Sequence, residues 1–275
     1  MSKQDKEDYL IQKLSSEYIG DDAAVVGEWI YSVDAFFEGI HFRREWMSLT
    51  QIARKAMLVN FSDAVAMNAK PTYALIALSI SKDFSLADID ELTESFEATA
   101  REFNCEIIGG DTVGADKLHI AITIISKSEN PLYRKGLKEG DLLAFTGTLG
   151  ESQRDLERLL SGETIEADSR FYEPTLRRDF IGKSRPYLTV GMDISDGLFC
   201  DTNKLLDINK YGIKILKNIN DNMGLSGEEY EMLVGFKEED LCKLEFIAKE
   251  CKIPLTVFAK VAKNNYRFLC KSHHF

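Results

Sequence analysis

The stretch from Ser48 to Asn68 limits most strongly what this chain can fold into. Ala53, Ala56, Met57, Leu58, Val59, Phe61, Ala64, Val65 and Met67 leave a helix over this span apolar nearly all round, so it has to be buried. Ser48 opens the helix as an N-cap, with Gln51 three residues later completing a capping box. Asn68 closes it, where a left-handed residue is expected. Asp63 lies inside this run on a face shared with Ala56 and Asn60, and a buried carboxylate needs a partner.

Other carboxylates sit at similar places. Gly20-Asp21-Asp22-Ala23-Ala24-Val25-Val26 sets two adjacent aspartates directly ahead of a small apolar strand. Like charges repel and strands are depleted in Asp, so the pair points to a bound cation. Asp34 with Glu38, Ser62-Asp63, Gly109-Gly110-Asp111-Thr112 and Asp193-Ile194-Ser195-Asp196-Gly197 repeat the composition. Taken singly, an aspartate such as Asp34, Asp111 or Asp196 reads more readily as a turn or cap residue. Taken together, four of the clusters end apolar strand-like runs, where layered folds place ligand sites. Carboxylates drawn from five places can build an oxygen-lined magnesium site, the equipment for handling polyphosphate. The glycines before Asp111 leave backbone amides uncovered for a phosphate. His41 reads either as a loop histidine or as a site residue. Arg134 reads as a surface charge or as an arginine reaching polyphosphate.

In the 275-residue chain, strand and helix patterns alternate in both halves, which predicts an α/β or α+β class with two layered domains, 1–130 and 131–275. The boundary falls in Ser126-Lys127-Ser128-Glu129-Asn130-Pro131. Cys105 to Ile108 is expected as a short strand ending at the Gly-Gly-Asp-Thr loop. Five cysteines without a Cys-x-x-Cys spacing predict buried apolar residues, with neither a disulfide framework nor structural zinc. A net charge of -11 argues against a general nucleic-acid binder. The polar N-terminus and the short apolar run from Tyr73 to Ile80 predict a cytoplasmic chain that does not enter a membrane. Ile181-Gly182-Lys183-Ser184 resembles the tail of a phosphate loop, but Arg177 stands where its first glycine belongs.

The series Gly20-Asp21-Asp22-Ala23-Ala24, Ser32-Val33-Asp34, Glu38-Gly39-Ile40-His41-Phe42, Asn60-Phe61-Ser62-Asp63, Gly109-Gly110-Asp111-Thr112, Asp193-Ile194-Ser195-Asp196-Gly197-Leu198 and Gly227-Glu228-Glu229-Tyr230-Glu231 resembles the thiamine-monophosphate kinase family in order and over nearly the whole chain. The resemblance implies the two-domain fold of aminoimidazole ribonucleotide synthetase, with N-terminal domains paired in a homodimer and ATP in the cleft between domains. It implies ATP-dependent phosphorylation of thiamine monophosphate to thiamine diphosphate with several magnesium ions. By resemblance the metal ligands are Asp22, Ser32, Val33 (through its backbone), Asp34, Asp63, Asp111, Asp193 and Asp196, with Asp22, Asp63, Asp111 and Asp196 carrying catalysis. Nucleotide contacts fall on Gly110, Asp111, Arg134 and Ser195, and substrate contacts on His41 and Glu228.

The sequence departs from the family pattern at Asn68 for Gly, at Glu229 for Asp, and at a C-terminus without the tryptophan that stacks on substrate. His273 and Tyr266 are the candidate stand-ins. The alternative readings are another ATP-using enzyme of the same superfamily, or a non-catalytic cation or nucleotide sensor that keeps the aspartates.

Overall fold

The computed structural model describes residues 6–270. A short exposed helix, α1 (Lys6–Lys13), precedes a first sheet built from β1 (Ala24–Val26), β2 (Trp29–Phe37), β3 (Lys70–Ser81), β4 (Glu106–Ala115) and β5 (His119–Lys127), in the order β1-β2-β5-β3-β4. Helix α2 (Leu49–Ala66) follows β2, and α3 (Leu86–Glu102) connects β3 to β4. That pair is the parallel one and so needs a crossover; the other neighbours run antiparallel.

The second sheet is antiparallel throughout, in the order β7-β9-β6-β10-β8, with β6 at Leu142–Thr146, β7 at Leu188–Asp193, β8 at Gly212–Ile215, β9 at Met232–Phe236 and β10 at Leu255–Ala262. Around it lie α4 (Glu151–Leu160), α5 (Arg178–Ser184), α6 (Leu198–Asn209), α7 (Asp221–Gly224) and α8 (Leu241–Glu250). The phosphate-loop lookalike at 181–184 is simply the end of α5.

Helix α2 is buried, as its composition demands. Ser48 and Gln51 form the capping box, and Asn68 takes the left-handed conformation at φ 52°. Ile52, Ala56, Met57 and Phe61 pack into one core with Ile120, Ile122 and Ile124 of β5. Val65 and Ala66 belong to another core, with Leu142 of β6 and Met232 and Val234 of β9. Each sheet covers a different part of the helix, so no polar side is needed. Phe171 and Leu159 of the second half also enter the first core. The connection after β5 is strapped to the end of α2, where the Leu132 amide donates to the Met67 carbonyl and the Ser128 hydroxyl to the Asn68 carbonyl.

Two expectations are corrected. Strand β4 runs straight through Gly109-Gly110-Asp111-Thr112 to Ala115, so this motif is an edge strand and not a loop. The glycines serve a bulge opposite β3, where the register shifts between Ala74 and Leu75. The five cysteines also differ in fate. Cys105 is buried, Cys251 half-buried and Cys242 exposed, while Cys200 of α6 is joined to Cys270 in a disulfide. The tail brings Cys270 there by folding back along α6: Asn203 exchanges hydrogen bonds with the Phe268 backbone, and the Phe268 ring stacks on Phe199. A 70-residue separation gives no sequence signal for such a pair.

The bulge yields a stability prediction. A Cβ on Gly110 would lie 1.7 Å from the Ile76 carbonyl oxygen, whereas one on Gly109 meets only the Leu75 side chain at 3.6 Å. Gly110→Ala is expected to destabilise the fold by about 3 kcal/mol, and by more than Gly109→Ala, because backbone cannot yield as a side chain does. Urea midpoints of the two variants check the ranking.

Candidate active site

Three of the predicted aspartates meet where α2 passes between the sheets. Asp22 precedes β1, Asp63 lies on the last turns of α2, and Asp193 ends β7. Among the described residues, each offers an oxygen within 4.8 Å of the other two. Asp193 is buried and accepts from the Ser62 hydroxyl at 2.5 Å. The Asp22 side chain is fully buried, and its Oδ2 has no hydrogen-bond partner. A buried carboxylate oxygen without a donor, facing two more carboxylates, is a donor set that fits a hard divalent cation.

The surroundings explain how the fold tolerates the group. Arg134, mostly buried, pairs with Asp22 through its guanidinium, and its amide donates to Asp21, the other member of the acid pair, at 2.6 Å. Burial works against the Arg134 charge, but Asp22 holds its pKa above the ordinary value. Burial raises the Asp22 carboxyl, with Arg134 opposing. Asp63 is pushed well up by burial and then by Asp34, Asp193 and Asp22. Asp193 is pushed up to about 8, by burial first and Asp22 second. Asp34 is thus a close neighbour, set by its amide donating to Asn60 Oδ1 at 2.9 Å. Asn60 is anchored in turn on the Ala56 carbonyl.

A second acidic group follows β7. Asp196 pairs with Lys204, and the Asp196 amide donates to Asp201, a fully buried carboxylate raised to about 7 chiefly by burial. Asp201 and Lys204 were not anticipated; their signal was an acid and a base one turn apart on the helix opened by Gly197.

The predicted substrate residues lie on either side of α2. His41 Nδ1 accepts from the Phe37 amide at 2.9 Å, and its ring stacks on Phe36. Glu228, in the loop before β9, receives Lys55 Nζ at 2.7 Å, and its amide donates to the Ser195 carbonyl. Glu228 and Tyr230 both adopt the left-handed region, at φ 53° and 52°. Non-glycine residues are strained there by about 1–2 kcal/mol each, a pattern concentrated at functional sites. The buried Tyr230 phenol is raised by burial and then by Glu228, Asp34, Asp193 and Asp63, which ties Glu228 to the aspartate group.

Comparison with known proteins decides the family. A model described as "AIR synthase related protein, N-terminal domain" matches residues 20–127. The thiamine-monophosphate kinase of Aquifex aeolicus (strain VF5) is 30% identical over 231 residues, covering 80% of this chain and 74% of that protein. That of Leptospira interrogans serogroup Icterohaemorrhagiae serovar Lai (strain 56601) is 33% identical over 226 residues, covering 74% and 73%. The chain belongs to the thiamine-monophosphate kinase family. A solved structure described as AaThiL complexed with AMPPCP and TMP has the same fold, with a TM-score of 0.85 at 26% identity over 96% of this chain and 92% of that one.

The remaining residues suggested by resemblance to the thiamine-monophosphate kinase family are not members of the three-aspartate group. Ser32 is buried on the inner face of β2, and the Val33 side chain points outward, 63% exposed. Glu38 accepts from the Leu118 amide at 2.9 Å and serves the sheet. Asp111 shares a cross-strand row with Ala77, Ala121 and Ala35, which puts it on the outer face. Asp34 shares the inner row with Ile122 and Ile76. Gly110 and Asp111 are therefore exposed about three strand spacings, or ~14 Å along the sheet, from β2. Glu229 caps α4 by accepting from the Gly150 and Ser152 amides. Tyr266 packs edge-on against Phe268, and His273 lies outside the described residues.

The raised carboxyls give a pH dependence with a definite sign. In the unfolded chain these groups titrate near 3.9. Between about pH 4 and about pH 8 the folded form therefore keeps protons that the unfolded form has released, and stability falls as pH rises. Without divalent cations the melting temperature should drop from about pH 5 to about pH 8. Magnesium should restore it more strongly at the higher pH, because only deprotonated carboxylates bind the ion. Thermal melts across a pH series, with and without magnesium, check this; a flat metal-free profile would contradict it.

Proposed function

We propose that this chain transfers the γ-phosphoryl group of ATP directly to a phosphate oxygen of thiamine monophosphate, forming thiamine diphosphate. The observation that carries this reading is the meeting of Asp22, Asp63 and Asp193 around a partnerless buried oxygen in a chain of this family. These three would hold magnesium, joined by Asp34, Ser32, the Val33 carbonyl and Asp196. Bound there, magnesium would neutralise the repulsion between two polyanions. The acceptor is a phosphate monoester with a second pKa of about 6, so it reaches the site largely dianionic and needs no strong base from the protein. What the side chains supply is positioning: Arg134 and Ser195 toward the nucleotide, His41 and Glu228 toward the acceptor. No covalent enzyme intermediate is required. The two domains would divide near residue 130, and the working enzyme would be cytoplasmic; no described helix is long and apolar enough to cross a membrane.

The outer face of the first sheet supports a homodimer. Tyr31, Val33, Leu75, Ile108 and Val113 are exposed there, an apolar patch that a second copy would cover. Asp111 shares that face and not the aspartate group, so we assign it, with Gly110 beside it on the same edge strand, to the nucleotide of the second copy.

Incubation with ATP, magnesium and thiamine monophosphate should yield thiamine diphosphate. Asp63→Asn and Asp111→Asn should each lower turnover by about a hundredfold or more. Refolding the two inactive variants together should then restore activity, because one site per mixed dimer keeps its own Asp63 and receives an intact Asp111 from its neighbour. No product from the wild type would refute the kinase; no restoration on mixing would refute the shared site.

A further inference from the structure

Lys55 is a fully buried residue on α2 that the family reading leaves without a role. Its side chain is 1% exposed, so it cannot touch a substrate. Its ammonium group pairs with Glu228 Oε2 at 2.7 Å, lies 4.1 Å from the centre of the Phe171 ring and 5.7 Å from that of Phe36. Phe36 in turn carries the His41 ring, stacked at 5.7 Å. Both predicted acceptor residues are thus linked through one cation: Glu228 by an ion pair, His41 by way of the aromatic ring between them. Lys55 comes from the first half of the chain and Glu228 from the second, so the pair also joins the two halves.

Stability alone does not account for it. Burying an ammonium group carries a desolvation penalty, and an apolar side chain of similar volume often serves the core as well or better. Glu228 remains 32% exposed while held at a left-handed φ of 53°. One of its oxygens is committed to Lys55, and part of the side chain still reaches solvent. We propose that Lys55 is a positioning residue for the acceptor substrate, setting the Glu228 carboxylate and the Phe36–His41 wall from behind. This deepens the kinase reading and rests on it for the identity of the acceptor.

The test uses full-length protein, with thiamine monophosphate and a non-hydrolysable ATP analogue titrated separately by calorimetry. Lys55→Met should weaken thiamine monophosphate binding by about tenfold or more, the size expected for a lost charge-assisted contact, while ATP-analogue affinity stays within about twofold. In turnover assays the loss should appear in KM for the acceptor more than in kcat. Glu228→Gln should give a comparable loss, and the double variant should be no weaker than the weaker single one, because Lys55 acts through Glu228. Unchanged acceptor binding in Lys55→Met, losses that multiply in the double variant, or a fall in kcat with KM unmoved would each overturn the assignment. If Lys55→Met does not fold, Glu228→Gln decides: a selective loss of acceptor affinity supports it and unchanged affinity overturns it. A wild type that binds thiamine monophosphate without making product would refute the kinase yet leave the calorimetry decisive; one that does not bind it would overturn both.

Discussion

Three carboxylates that repel one another, Asp22, Asp63 and Asp193, are the constraint around which the rest is arranged. They arrive from the lead-in to β1, from α2 and from the end of β7, so both halves of the chain must be folded before they meet. Native proteins are stable by only about 5–15 kcal/mol, and unrelieved repulsion among buried charges would be a large part of that. Relief comes from three directions: Arg134 on Asp22, the Ser62 hydroxyl on Asp193, and pKa values raised until protons are retained. Each is incomplete, as the bare Oδ2 of Asp22 records.

Helix α2 makes the meeting possible because it is covered on all sides. A helix with one solvated face could present functional groups only to the opposite side. Here Asn60 reaches β2 at Asp34, Ser62 reaches β7 at Asp193, and Lys55 reaches the loop before β9 at Glu228. The apolar residues between them anchor the same helix in two cores, one under each sheet. Rigid surroundings of this kind hold polar groups in place at little further entropic cost.

Much of this was legible in the sequence because it depended on local chemistry. The capping box at Ser48, the left-handed Asn68 and the burial of α2 follow from side chains and their near neighbours. What escaped depended on tertiary partners. Met232–Phe236 is too short a run to identify as a strand by period, yet β9 lies inside the second sheet and is wholly buried. Gly109 and Gly110 suit a phosphate contact and a strand bulge equally well in sequence, and only the Ile76 carbonyl beside Gly110 shows why the strand itself needs a glycine there. Lys55 carried the same signal as Asp63, a charge in an apolar helix, but its partner lies 173 residues away.

The run Glu228-Glu229-Tyr230-Glu231 shows why counting acidic residues is a weak guide to a site. Glu231 is fully buried, bound by Arg177 through both oxygens and by Arg170, and it accepts from the Thr146 hydroxyl, so no bonding capacity is left for a ligand. Glu229 caps α4 through Oε1 alone, and its buried Oε2 is left without a hydrogen-bond partner and, among the described residues, outside any group of three carboxylates. Glu228 alone combines a buried counter-ion with an exposed carboxylate. Three glutamates within four residues therefore have three different capacities, set by how many of their oxygens the fold has already matched. The same criterion separates Asp22, with an oxygen left over, from Glu38, whose carboxylate is engaged by the sheet. An unmatched buried acceptor that faces further carboxylates, rather than acidic composition alone, marks where a cation is required.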